Sequence, residues 1–254
     1  MEKLTSLKNP KIQFWRSLHE KKARDESHCF LVEGTRSVQD ALHSGFQMEA
    51  LLISEEYTLP IPAENTVPEY LVPAHVLASV CDTKTPQGIC AVMRQKLQPV
   101  TGPHLVALDS LQDPGNVGTI LRTADAAGLD GILLSRNCPD LYSPKVLRAT
   151  MGSIFHLPAE TPSHLPDRLR ALRAEGYMLL STELGGEPFF SFSPGNSKWC
   201  LIIGNEGNGV SGEVRALATH HLTLPMRGGA ESLNASIAAG IMMYVLMQKA
   251  SPFI

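Results

Sequence analysis

Residues 105–135 read LVALDSLQDPGNVGTILRTADAAGLDGILLS, and the order of apolar runs and breaks in them decides the fold. Leu105–Asp109 is a continuous apolar run closed by a carboxylate, the pattern of a strand buried on both faces. Asp113-Pro-Gly-Asn116 is a turn, and Ile120, Leu121, Ala124 and Ala127 then recur at helical spacing, which predicts a helix over 117–127 with Asn116 as its N-cap. A second apolar run, Gly131–Ser135, follows. Strand, helix and strand in this order imply a parallel pair with a crossover helix. The alternation continues downstream with a helix over 144–151, a short strand near 156–159 and a helix over 165–174. Strands at 177–182 and 199–203, a short helix from Ser211, a strand at 221–224 and a helix over 232–249 complete it. The expectation is an α/β unit with a parallel sheet, whose ligands collect beyond the carboxyl ends of the strands.

Upstream, 95–104 contains Pro99, Gly102 and Pro103 and reads as a linker. A smaller α/β unit precedes it. It has strands at 30–33, 50–54 and 88–93, helices at 35–44 and 74–80, and a loop with prolines 60, 62 and 68. Residues 1–24 read as one basic helix with Ile12, Phe14, Trp15 and Leu18 as its apolar stripe.

Composition bounds the function. The chain has 254 residues, 43% hydrophobic and 19% charged, which excludes disordered, collagenous and coiled-coil classes. Lys and Arg total 22 against 25 Asp and Glu, so no global field draws it to a polyanion. The average hides a gradient: residues 1–24 carry seven basic and two acidic side chains, and residues 25–93 carry two basic against ten acidic. Any nucleic-acid contact is therefore local. The five cysteines form no CxxC pair and no metal-ligand spacing, so they read as reduced thiols inside a cell. The first residues lack the apolar core of a signal peptide, and the run Leu233–Met247, broken by Asn234 and Ser236, is too short and polar to span a bilayer.

Three polar, glycine-rich stretches stand where strands of the larger unit end. Asp109–Ala124 places Arg122 near the second turn of the predicted helix, where pairing with Asp125 is the plain structural reading. Leu201-Ile-Ile-Gly-Asn-Glu-Gly-Asn-Gly-Val-Ser211 runs a buried strand into a loop in which Gly207–Gly212 formally matches GxGxxG. A dinucleotide site fits poorly, because the following helix has room for only about two turns and no acidic residue ends the next strand. Leu222–Gly240 crosses a glycine-rich loop into a helix for which Ser232 is the expected cap.

Taken in order, Asp113-Pro-Gly-Asn-Val-Gly-Thr-Ile-Leu-Arg-Thr-Ala124, Ile203-Gly-Asn-Glu-Gly-Asn-Gly209 and Leu224-Pro-Met-Arg-Gly-Gly-Ala-Glu-Ser-Leu-Asn-Ala-Ser236 resemble the three motifs of the SpoU, or TrmH-like, branch of the SPOUT RNA ribose 2′-O-methyltransferases. The resemblance covers about 105–249. Val32-Glu-Gly-Thr-Arg36 and Thr85-Pro-Gln-Gly88 look like parts of the L30e-like substrate-binding domain common in that branch. With the basic helical segment set at 1–27 from its charge and spacing, the resemblance implies an L30e-like domain over 28–97 and a SPOUT methyltransferase domain over 98–254 ending in a trefoil knot. It implies S-adenosylmethionine as cofactor, held near Thr182, Gly204, Leu224, Met226 and Leu233, with no metal. It implies Arg122, Asn116, Glu206, Ser232 and Asn234 as catalytic candidates. Because a guanidinium holds its proton far above neutral pH, Arg122 is assigned a phosphate-gripping and alkoxide-stabilising role ahead of a general-base role. Arg36, Lys21, Lys22 and Arg24 are the expected RNA contacts. Ribosomal RNA is favoured over transfer RNA, with a homodimer, a cytoplasmic location and no membrane contact. The alternatives are a transfer-RNA ribose methyltransferase, a base methyltransferase of the same fold, and a non-catalytic RNA-binding protein.

Overall fold

A computed structural model describes residues 1–60, 67–96 and 99–250. Pro62 of the expected proline loop and the 97/98 boundary lie outside the described residues. The chain forms two compact units, residues 1–96 with 140–155, and residues 97–139 with 156–254.

The first unit contains β1 (Glu2–Lys3), α1 (Pro10–Ser17), α2 (Lys21–Ser27), β2 (Cys29–Glu33), α3 (Thr35–Leu42), β3 (Met48–Ser54), β4 (Glu69–Val72), α4 (Ala74–Val80) and β5 (Ile89–Arg94). Its mixed sheet runs β1-β4-β3-β5-β2. The single basic helix expected over 1–24 is instead a short strand and two helices. Pro10 starts α1 under an Asn9 cap that accepts the Lys11 amide at 2.9 Å, and Glu2–Lys3 pairs in parallel with Tyr70–Leu71 of β4. Ile12, Trp15 and Leu18 still point inward, joining Leu52, Leu77, Val80 and Val92 in the core, whereas Phe14 is exposed.

The helix α6 (Pro144–Thr150), read from sequence as part of the second alternation, belongs to the first unit. Aromatic rings hold this segment: Tyr142 lies 4.5 Å from Phe30, and Phe155 packs edge-on against Phe46 at 5.3 Å. An ion pair at 2.6 Å joins Asp140 to Arg24.

The second unit contains β6 (His104–Leu108), α5 (Pro114–Ala127), β7 (Gly131–Leu134), β8 (Ala159–Glu160), α7 (Leu165–Ala174), β9 (Met178–Pro188), β10 (Trp199–Ile203), α8 (Gly212–Leu217), β11 (His220–Thr223) and α9 (Ala235–Ala250). All its ladders are parallel, in the order β11-β9-β10-β6-β7-β8. Leu105, Leu133, Cys200 and Ile202 pack with Leu169 and Leu172 of α7, while α5 and α9 pack against each other. The continuous apolar reading of β6, β7 and β10 thus corresponds to strands almost wholly buried. The five thiols are free and buried, and burial pushes the Cys200 thiol up to about 12.

Candidate active site

The carboxyl ends of β6, β9, β10 and β11 converge on one site. Beyond β6, the buried Asp109 accepts the Ser211 amide at 2.8 Å and thereby ties the first glycine-rich loop to the second. Ser110 adopts a left-handed φ of 59°, unusual for a residue with a side chain. Its carbonyl accepts Asn205 Nδ2 at 2.8 Å and Gln112 Nε2 at 3.1 Å.

The helix α5 begins three residues earlier than its apolar spacing indicates. Asp113, not Asn116, is the N-cap, accepting the Gly115 amide at 3.1 Å, with Pro114 in the first position. Asn116 is therefore inside the first turn, buried, and its side chain is spared for other work. Its Nδ2 donates to Glu206 Oε1 at 2.9 Å, and its Oδ1 accepts Asn234 Nδ2 at 3.1 Å. Asn234 in turn caps α9: its Oδ1 accepts the Ser236 and Ile237 amides at 2.9 and 3.3 Å and the Ser236 hydroxyl at 2.6 Å. Ser232, expected as that cap, lies exposed in the preceding loop, because the helix starts only at Ala235. One amide on each of two helices thus passes hydrogen bonds in a single direction, from Asn234 through Asn116 to the Glu206 carboxylate. Burial alone would raise the Glu206 carboxyl, but the Asn116 amide and neighbouring backbone amides, Gln112 among them at 3.1 Å, outweigh it and hold it below the ordinary range.

The second loop folds tightly on itself. Asn205 Oδ1 accepts the Gly207 and Asn208 amides at 2.9 and 3.0 Å, and Asn205 and Gly209 bond to each other's backbone. Gly204 has no alternative residue, since a Cβ there would lie 2.2 Å from both Gly209 C and Val210 N. This loop walls an open cavity of about 590 Å³, lined by Thr182, Gly204, Leu224, Met226 and Leu233 together with Glu206, Ser232 and Asn234. All five expected cofactor residues and three of the expected catalytic residues are therefore brought together, and Asn116 stands directly behind Glu206 and Asn234.

The remaining candidates lie elsewhere. Arg122 is exposed on α5 and does not line the cavity. Arg36, Lys21 and Lys22 are exposed in the first unit. Arg24 corrects the expectation of an RNA contact: it is 3% exposed, bonded to Asp140 at 2.8 Å and to the Leu18 and His19 carbonyls at 2.7 Å, so its charge is spent inside the fold.

Sequence reading missed Glu183. The ladder of β9 with β11 jumps from Ser181–His221 to Glu187–Leu222, so residues 182–186 bulge out and carry Thr182 and Glu183 to the cavity. Glu183 accepts His221 Nδ1 at 2.5 Å and pairs with Arg215 at 2.7 Å. Burial would raise its carboxyl, and the His221, Ser181 and Arg215 bonds bring it below the usual range. The one signal for the bulge was Gly185-Gly186 beyond the predicted strand end.

S-adenosylmethionine fits these residues. The cavity is of nucleoside size, Leu222, Leu224, Met226 and Met242 give it an apolar wall, and the carboxylates of Glu183, Glu206 and Glu231 suit a ligand bearing a sulfonium and an ammonium. Among the described residues there is no cluster of three or more His, Cys, Asp or Glu able to hold a metal ion, and no helix long and apolar enough to cross a membrane.

Comparison with known proteins agrees with this geometry. Residues 103–244 match the SpoU rRNA Methylase family, and residues 9–91 match the MRM3-like substrate binding domain. The chain is 36% identical over 247 residues to a protein of Bacillus subtilis (strain 168) named 23S rRNA (guanosine(2553)-2′-O)-methyltransferase RlmP, covering 97% of this chain and 99% of that one. An AdoMet-bound rRNA methyltransferase from Sinorhizobium meliloti superposes with a TM-score of 0.88 at 32% identity, covering 98% of each chain. The SpoU methyltransferase AviRb from Streptomyces viridochromogenes, in complex with AdoMet, superposes with a TM-score of 0.86 at 29% identity, over 95% of this chain and 98% of that one.

Proposed function

Because the chain belongs to the SpoU rRNA methylase family, we propose that it transfers the methyl group of S-adenosylmethionine to a ribose 2′-hydroxyl of ribosomal RNA. The observation that carries this reading is the hydrogen-bonded series Asn234, Asn116, Glu206, whose two ends line the Gly204 cavity.

S-adenosylmethionine supplies an electrophilic methyl carbon for an in-line displacement. The protein's part is mostly orientation. Gly204 and the backbone near Thr182, Leu224, Met226 and Leu233 hold the cofactor, the missing Cβ at 204 allowing the loop to close. Asn116 and Asn234 lock the loops, and with them Glu206 and Ser232 order the ribose. Arg122, exposed on α5 outside the cavity, is left to grip a phosphate of the bound RNA. Arg36, Lys21 and Lys22 present cations to the RNA, and Arg24 leaves that set for the reason given above.

A homodimer belongs to the same reading. Ile237 and Ile241 stand exposed one turn apart on α9, at 54% and 37%, an apolar stripe that a second copy would cover. The trefoil knot and a cytoplasmic place of action rest on family membership alone.

The test is calorimetric titration of cofactor-free protein with S-adenosylmethionine, followed by ribose-methylation mapping of RNA from cells with and without the protein. Binding together with one ribosomal 2′-O-methyl site lost on deletion is expected. A folded sample that does not bind the cofactor overturns the reading, and binding with loss of a base mark or a transfer-RNA mark moves the substrate. Arg122→Ala is expected to abolish transfer while leaving cofactor affinity intact; loss of both would contradict the role given to Arg122.

A further inference from the structure

The first unit holds a second open cavity, of about 650 Å³, formed by residues 56–59 beyond β3, by α4 and by the residues leading into β5. An aromatic ring is bedded in its wall. Gly88 has a left-handed φ of 83°, and a Cβ there would lie 3.1 Å from Tyr57 Cδ2 and 3.4 Å from Tyr57 Cβ, so the glycine backbone itself supports the ring. The Ser54 amide donates to the Gly88 carbonyl at 2.8 Å and the Tyr57 amide to the Ser54 carbonyl at 3.0 Å, which fixes both sides of this contact.

The facing loop is equally fixed. The Glu33 carboxylate accepts the Asp82 and Thr83 amides at 2.6 and 3.1 Å and the Thr83 hydroxyl at 2.8 Å, while Gln87 Oε1 accepts the Thr35 amide at 2.9 Å. Lys84 and Gln87 are thereby set on the cavity wall with His75. Glu56 lines the same wall and offsets Lys84, so charge alone holds no polyanion there. A rigid aromatic face surrounded by amide, hydroxyl and one ammonium group suits a flat heterocycle carrying a single phosphate.

We propose that this cavity receives one unpaired nucleotide of the RNA substrate, its base stacked on Tyr57 and its phosphate met by Lys84. The inference rests on the RNA methyltransferase reading of the second unit. It gives the first unit a positioning role, the capture of a nucleotide other than the one methylated.

The test uses full-length protein and ribosomal RNA from cells lacking it, with RNA affinity, salt dependence and cofactor affinity measured for the wild type, Tyr57→Phe, Tyr57→Ala and Lys84→Gln. Tyr57→Phe is expected to bind as the wild type, and Tyr57→Ala to bind RNA about tenfold more weakly, with cofactor affinity unchanged in both. Lys84→Gln is expected to reduce the slope of log affinity against log salt by about 0.7, one single-strand phosphate. Ultraviolet crosslinking of wild-type protein is expected to place an RNA adduct on Tyr57, a result independent of whether the alanine variant folds. Undiminished RNA affinity in Tyr57→Ala, or an RNA adduct absent from Tyr57, overturns the inference while a methylating wild type leaves the enzyme intact. Wild-type protein that binds cofactor but neither binds nor methylates any RNA removes the enzyme reading itself.

Discussion

Asn116 shows how much one amide can carry. It accepts from one helix cap and donates to one carboxylate, so Asn116→Ala is expected to free the Glu206 carboxyl to titrate nearer its ordinary value, observable by carbon-detected NMR. The sign follows from the direction of the shift. Glu206 is held low in the folded state, so its contribution to stability is present above the ordinary carboxyl range and is lost as pH falls through the folded value. Removing Asn116 shrinks that contribution, so the Glu206-linked part of the difference between variant and wild type should vanish in acid, leaving the pH-independent loss of the Asn234 bond. Gly204→Ala tests the other wall. A Cβ pressed against Gly209 and Val210 is expected to destabilise by about 1–3 kcal/mol and to abolish cofactor binding, measured by thermal melting and calorimetry. At this scale the cavity residues were legible, because glycines and small polar residues after buried strands have few other reasons to cluster. The orientation of Asn116 was not legible, since Asp113 and Asn116 are both good caps and only the fold shows which one is used.

Among the elements, local signals worked and non-local ones did not. The bounds of α4, α7 and β10 follow from apolar spacing, proline and small-residue breaks within a few residues of one another. The two-residue β1 depends on a partner near Tyr70, and the bulge of β9 depends on β11, so neither has a pattern of its own in the sequence. Arg24 is the same lesson in charge. Within a basic run it reads as a surface cation, yet its partner Asp140 is 116 positions away. Asp140→Ala leaves that guanidinium buried without its counter-ion and is expected to cost about 3 kcal/mol of stability in urea denaturation. The double variant Arg24→Met with Asp140→Leu should recover much of that loss, because replacing a buried pair with apolar groups is close to neutral.

For the molecule as a whole, the α9 stripe makes a prediction about assembly. On the proposed homodimer, the wild type is expected to run as a dimer in light scattering and Ile237→Asp with Ile241→Asp as a monomer, since two desolvated carboxylates would oppose closure of that face. The plan of a small α/β unit followed by a parallel-sheet unit was legible, because strands flanked by helices announce themselves in sequence; the mixed pairing of the first sheet was not. Membership of residues 140–155 in the first unit was not, since the segment sits between β7 and β8 in the chain. That excursion has a consequence for how the protein can be taken apart or inherited. A fragment ending near residue 96 would lack the rings that cover Phe30 and Phe46 and the counter-ion of Arg24, so it is a deficient piece, not a portable module. Recombination that exchanges the front half of such a chain must exchange 140–155 with it, so the first unit is inherited together with a segment that lies between two strands of the second.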